Sequence, residues 1–411
     1  MQVMKWSLIA LAVSAGSTQL ANASAQSDSK GFVDDASATL LLRNTYWNRD
    51  WNHGRDDVKT WGQGFIGTFE SGFTQGTVGF GVDTFGLLGL RLDGGQGDMF
   101  ETDSDGDFRD DLSQAGAAVK VRLSNTVIKY GDQMPNLPVL AYDDSRLLPQ
   151  SFTGTMITSS EIEGLELNAG HFTAESAMAS PNHDEGSIGP LKSIDVAGGS
   201  YQFNDSLSAA LYFSDIDDVA TKRYGNINYT IPFSDDQALN FDFNIYKTEY
   251  DKDFLATPSD EDNTIWSLAG KYSTGAHAFI LAYQQNSGDQ GYQYDIGDGG
   301  SAIFLANSYF SDFNNKDEKS YQASYELDFA TYGAPGLSWK TAYVYGTDID
   351  VGAGSDVNER EFFNQVKYVV QNGPVKDLSL KARNSIYRTN QLLNDDLNEW
   401  RLFIEYPLEI L

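Results

Sequence analysis

The chain has no cysteine among its 411 residues, so neither a disulfide scaffold nor a thiolate metal site is open to it. Basic residues are scarce. The 28 Lys and Arg face 58 Asp and Glu, a formal charge of −30, and so acidic a chain lacks the basic face that nucleic acid requires. Its four histidines (His53, His171, His183 and His277) are scattered, with no spacing such as H-E-x-x-H. There is no G-x-S-x-G elbow and no phosphate-cradling loop. Asp103, Asp105 and Asp107 are spaced like a calcium loop, but the closing bidentate Glu is missing, which leaves a solvated acidic loop. No cofactor is implied. Long apolar runs are absent too. The longest, WSLIALAV after Lys5, falls short of the ~20 residues of a spanning helix. Followed by A-x-A sites ending at Ala23 and Ala25, it reads as a signal peptide over residues 1–25.

What the chain does have is alternation. From about residue 37, segments of roughly ten residues alternate apolar with polar or small side chains, as in ALNFDFNIYKT (Ala238–Thr248) and EWRLFIEYPL (Glu399–Leu408). In the latter, Trp400, Leu402, Ile404, Tyr406 and Leu408 share one face, and Glu399, Arg401, Phe403 and Glu405 share the other. This pattern predicts an all-β fold, a transmembrane antiparallel β-barrel with one parity toward lipid and the other toward the lumen. Strand starts fall near residues 38, 59, 74, 113, 125, 153, 164, 193, 206, 221, 238, 264, 275, 319, 337, 359, 377 and 398, which makes 18 strands. Short connections alternate with long polar ones near 86–112, 173–192, 249–263, 285–318 and 347–358, as turns and outer loops do in such barrels. Tyr46, Trp47, Trp51, Trp61, Tyr343, Tyr345, Trp400 and Tyr406 suit the interfacial girdles. The organisation expected is a signal peptide, a short segment 26–36, and one barrel over 37–411. A barrel of this size encloses an aqueous channel.

One stretch breaks the alternation. Residues 131–152, GDQMPNLPVLAYDDSRLLPQSF, read as neither strand nor hairpin turn. Pro135, Pro138 and Pro149 each lack the N–H that a ladder needs. Met134, Leu137, Val139, Leu140, Leu147 and Leu148 are too apolar to be left in water. The loop is therefore predicted to pack against another part of the chain, carrying Tyr142, Asp143, Asp144, Ser145 and Arg146 with it.

Strand parity turns several cations inward: Lys120 and Arg122, Lys381 and Arg383, Arg401, and Arg43 on the first strand. Barrel closure makes the first and last strands neighbours, so Arg43, Arg401, Lys381, Arg383 and Lys367 form one basic wall. Such a wall lowers the barrier for an anion. The rival reading is that these are ordinary lumen charges paired with Glu399, Glu405 and Glu361.

Lys129–Gly154, Ala197–Tyr212, Asn228–Thr248, Gly299–Asn314 and Glu399–Leu411 resemble the OprD-type substrate-specific porins (Occ channels) of Pseudomonas and related Gram-negative bacteria. The resemblance implies a monomeric, non-enzymatic channel of the outer membrane that passes small carboxylate-bearing nutrients. Its partners would be small anionic or zwitterionic solutes, outer-membrane lipid and lipopolysaccharide, and the barrel assembly machinery. By position, residues 131–152 match the third loop, which folds into the lumen and narrows the pore. Tyr142, Asp143, Asp144, Ser145 and Arg146 would then form the constriction, with Arg146 either meeting solute or braced by Asp143 or Asp144. Residues 285–318, with Ser301 and Asn307 toward the constriction, match the seventh. Arg43, Lys381, Arg383 and Arg401 fall where the family's ladder would run. The strand Gly336–Gly346 departs from the family, carrying only Lys340 with Ala342 and Tyr345 where further cations often stand. A weakly selective porin and a β-barrel enzyme remain the alternatives.

Overall fold

The structure is a computed structural model that describes residues 24–95, 99–352 and 357–411. The expected signal peptide lies outside the described residues, Ser24 and Ala25 apart. The strands are β1 (Ser37–Trp51), β2 (Val58–Glu70), β3 (Val78–Gly94), β4 (Asp111–Leu123), β5 (Thr126–Gln133), β6 (Asn136–Leu137), β7 (Leu140–Ala141), β8 (Ser151–Ile162), β9 (Leu165–Ser176) and β10 (Ile194–Asn204). They continue as β11 (Leu207–Ile216), β12 (Ala220–Ser234), β13 (Gln237–Tyr250), β14 (Glu261–Thr274), β15 (His277–Gly288), β16 (Lys319–Asp328), β17 (Leu337–Ile349), β18 (Val357–Val369), β19 (Ser379–Thr389) and β20 (Leu397–Glu409). All except β6 and β7 belong to one 18-stranded antiparallel sheet. It closes because β1 pairs with β20 from Thr39 opposite Glu409 to Trp51 opposite Leu397.

The alternation in the sequence becomes an inside-out distribution of side chains. Leu211 and Leu281 are 73% and 71% exposed on the outer face, where lipid replaces water as their surroundings. Asn244, Ser267 and Gln284, by contrast, are buried on the inner face beneath the loops. Closure leaves no strand of the 18-stranded sheet with an unpaired edge, which a hydrocarbon environment demands.

The strand starts expected from periodicity agree with these, the widest gap being residue 74 against Val78 for β3. Three details differ. The outer connection between β11 and β12 is only residues 217–219, while the opposite-end connection between β18 and β19 spans 370–378, so loop lengths do not alternate strictly. The long outer loops are shorter than expected because strands continue past the apolar belt: β3 runs to Gly94 and β15 to Gly288. Trp47 and Trp51 are not girdle residues. Both are buried, because their parity on β1 turns them inward against the loops.

Residues 26–36 are folded rather than loose. Gln26 donates through Nε2 to the carbonyls of Thr74 and Gly76, at 2.9 and 3.0 Å, and accepts from Arg122 Nε at 2.9 Å. Ser29 Oγ donates to the Phe73 carbonyl at 2.5 Å. The segment is thereby pinned across the β2–β3 connection.

Candidate functional site: a basic wall beneath two inward loops

The loop after β5 is 134–150, shorter than the expected 131–152, because β5 extends to Gln133 and β8 begins at Ser151. It also contains the small β6–β7 pairing, Asn136 opposite Ala141 and Leu137 opposite Leu140, where the sequence pattern suggested no hairpin. Its apolar residues anchor it on two sides. Leu137, Val139 and Leu140 pack with Phe152, Phe172 and Tyr246, and Leu147 and Leu148 pack with Trp47, Ile66, Leu87 and Phe100. Burial of this kind contributes roughly 25 cal/mol per Å² and offsets the entropy of ordering a long loop.

The loop 289–318 between β15 and β16 locks against the first. Ala141 N donates to the Asp298 carbonyl at 2.9 Å, Ser301 N to the Ala141 carbonyl at 3.3 Å, and Gly300 N to Gln150 Oε1 at 3.1 Å. Tyr246 on β13 ties both loops to the wall: its hydroxyl donates to the Pro138 carbonyl at 2.9 Å and accepts from Phe304 N at 3.0 Å. Gly299 sits at φ +86°, and a Cβ there would stand 2.1 Å from the Ala141 carbonyl oxygen. Only glycine allows this junction.

The constriction candidates separate. Asp143 is buried and accepts from Ser145 N and Oγ at 2.6 and 3.1 Å, so it braces the loop tip. Burial pushes its carboxyl above the usual range, with the Ser145 contacts opposing. Asp144 takes a bidentate contact from Arg43, Nη1 to Oδ1 at 2.6 Å and Nη2 to Oδ2 at 2.9 Å. Arg43 Nη1 also reaches the Arg146 carbonyl at 3.2 Å, and Nε donates to Glu405 at 2.9 Å. Arg43, expected on the track, is thus a buried clamp on the loop. Tyr142 and Arg146 are half-buried at the tip, and Ser301 is half-buried at the loop junction. Asn307 is corrected: its side chain has no exposure and donates to Ser320 Oγ at 2.8 Å, so it fastens the loop to β16 and does not line the pore.

The inward cations expected to form the wall stand on β17 to β20 and β1 in a definite register. Lys340 stands opposite Gln365, Gln365 opposite Arg383, Arg383 opposite Arg401, and Arg401 opposite Trp47. One step along, Lys367 stands opposite Lys381 and Lys381 opposite Phe403. The charges differ in partners. Arg401 is bound to Glu399 at 2.5 and 3.2 Å, and Arg49 shares the same carboxylate at 2.5 Å. Lys367, Lys381 and Arg383 have no ion-pair partner among the described residues. Aromatic faces support two of them instead: Lys381 Nζ lies 4.1 Å from the Phe403 ring and the Arg383 guanidinium 5.2 Å from Phe363.

Lys120 and Arg122 point inward but stand apart from this wall, on β4. Asp83 holds Lys120 at 2.5 Å and Lys129 at 2.7 Å, and Arg122 stacks 4.1 Å from Phe73 beside Gln26. Both are occupied by structural partners that lie far off in sequence.

Three features were not anticipated. Lys222 on β12 and Asp298 in the second loop form an ion pair with no exposure on either side chain. Glu361 on β18 accepts the backbone N–H groups of Phe310 and Ser311 at 3.1 and 3.0 Å, while Ser311 Oγ donates to Glu359 at 2.9 Å. The loop tip is thereby tied over the basic wall, with Tyr309 4.6 Å from Phe363 and Lys340 5.1 Å from Tyr309. Parity alone would have found Lys222 and Arg49 as inward cations, but not their partners.

Comparison with known proteins agrees with this architecture. Residues 30–410 match the model of a family described as outer membrane porin, OprD family. The chain is 48% identical to Porin D of Pseudomonas aeruginosa, with 100% of each chain covered. It superposes on OccAB1 of Acinetobacter baumannii with a TM-score of 0.92 at 41% identity, over 94% of this chain and 100% of the other. OpdK of Pseudomonas aeruginosa, whose structure was determined with vanillate, gives a TM-score of 0.85 at 34% identity, over 92% of this chain and 100% of the other.

Proposed function

The chain belongs to the OprD family of outer-membrane porins, and from that premise we propose that it passes small carboxylate-bearing solutes passively along its basic wall. The observation that carries this reading is the trio Lys367, Lys381 and Arg383. These are adjacent, inward-facing cations that form no direct ion pair among the described residues. A carboxylate losing water at the constriction regains charge-assisted hydrogen bonds from them, which lowers its barrier relative to a neutral solute. Arg383 offers a fork that can grip both oxygens, while the lysines act as point charges. Vanillate, the compound named with OpdK, is itself a small carboxylate.

Other cations favour a second reading, a weakly selective porin. Arg43, Arg401 and Lys120 are each ion-paired with a carboxylate, and the chain is strongly acidic overall. Liposome swelling separates the two. The carboxylate reading requires small organic acids to enter faster than neutral sugars of equal size, and equal rates would leave the weakly selective reading standing.

A further inference from the structure

Two arginines face away from the lumen near the outer ends of β18 and β19. Arg360 stands directly opposite Arg388 in the β18–β19 register, on the parity of Phe362 and Ile386, which continue into the apolar belt. Like charges directly opposite each other in an antiparallel pair repel. Among the described residues nothing relieves Arg360, which is exposed and has no ion-pair partner there. Arg388, in contrast, is built into place. Its Nη1 donates to the carbonyls of Tyr387 and Leu397 at 2.7 and 2.8 Å, and its Nη2 to Asn398 Oδ1 at 2.9 Å. Between the two lies a polar cleft of about 260 Å³, lined also by Tyr345, Asn358 and Asn390.

Two carboxylates border this cleft. Asp396 lies 3.8 Å from Arg388 Nε and accepts from Thr389 N at 2.8 Å. Glu359 contributes to the lining, but its carboxylate is turned inward to Ser311 and Tyr387. One positive charge is left over, on the membrane side of the barrel, at the edge of the apolar belt.

We propose that this cleft binds a phosphate group of the lipopolysaccharide that packs around the barrel in the outer leaflet. The chemistry is specific. A phosphate placed between the two guanidinium groups can accept paired hydrogen bonds from Arg360, lies beside the partly engaged Arg388, and offsets their repulsion. Asn358, Asn390 and the Tyr345 hydroxyl supply neutral donors around the same space. The site also lies where a lipid headgroup would be and where a solute in the lumen would not. Charged side chains on the outer face are tolerated near the interface and costly toward the midplane. The proposal does not depend on which solutes the pore carries.

Native mass spectrometry of the detergent-purified barrel tests it. The probes are lipid A bearing its phosphates, the same lipid with the phosphates removed, and inorganic phosphate as competitor. Wild-type protein is expected to retain the phosphorylated lipid ~10-fold better than the dephosphorylated one, the scale of one bidentate charged contact. Arg360→Gln should abolish that preference, and Arg360→Lys should keep part of it. Arg223→Gln, on the outer face of β12 and away from the cleft, should leave it unchanged. Arg360 is exposed and its side chain makes no hydrogen bond or ion pair among the described residues, so its variants decide the matter even if Arg388→Gln fails to fold. Equal retention of the two lipids, or an Arg360→Gln preference equal to wild type, would overturn the proposal. So would displacement of the lipid by millimolar inorganic phosphate.

Discussion

Lys222 and Asp298 form an ion pair that is fully enclosed, between the wall strand β12 and the loop 289–318. Lys222 also donates to the Gln293 carbonyl at 2.6 Å and lies 4.8 Å from the Tyr292 ring, while Asp298 accepts from Ile296 N at 3.1 Å. Burial pushes the Asp298 carboxyl up, and the Lys222 ammonium opposes it. A buried pair adds little net stability over apolar residues, but removing one partner strands a charge.

Lys222→Met is therefore expected to weaken the loop's anchorage by about 3 kcal/mol or more. Single-channel recordings should show higher and noisier conductance. The double variant Lys222→Met with Asp298→Leu should recover much of the quiet open level. If the double variant is as noisy as the single one, the pair is not the anchor.

The Arg43–Asp144 clamp predicts a different effect. Asp144→Ala removes the bidentate contact that holds the tip of loop 134–150, and it removes a negative charge facing the pore. Conductance should rise, and reversal potentials in a salt gradient should move toward the anion side. A shift toward cations would contradict the assignment.

Gly299→Ala tests the loop–loop junction. The positive φ costs an alanine about 1–3 kcal/mol, and its Cβ would collide with the Ala141 carbonyl. The two loops should separate, seen as cleavage by added protease in the 134–150 and 289–318 segments while the barrel stays resistant. Gly275→Ala, in a turn where a Cβ meets nothing, serves as the comparison.

Glu361 holds the tip of the second loop through two backbone N–H groups. Glu361→Ala should free Tyr309 and Phe310 from their place over the basic wall and shorten carboxylate residence by at least ~5-fold, about 1 kcal/mol. Unchanged residence would show that the loop tip plays no part in solute passage.

Much of this fold can be read in the sequence because a barrel strand announces itself by parity. Leu402, Ile404 and Trp400 face out and Glu399, Arg401 and Phe403 face in, as their alternation requires. The eighteen starts follow from the same signal. Parity gives the direction of a side chain and not its partner, so Arg383 and Arg401 looked alike before their surroundings were visible. One proved unpaired among the described residues, and the other is bound by Glu399. The loops carry no periodic signal. Leu147 and Leu148 reveal that loop 134–150 must be buried, but Asn307 gives no hint that it points into the wall.

The central claim is that Lys367, Lys381 and Arg383 handle the carboxylate. Single-channel recording with a small aromatic carboxylate added, comparing wild type with Lys381→Gln/Arg383→Gln, tests it most directly. Both residues face the lumen and lack ion-pair partners among the described residues, so the barrel should still assemble. The account predicts that carboxylate residence falls ~10-fold or more, the scale of losing a charge-assisted contact, while passage of a neutral sugar is unchanged. Carboxylate residence equal to wild type in that variant would contradict it.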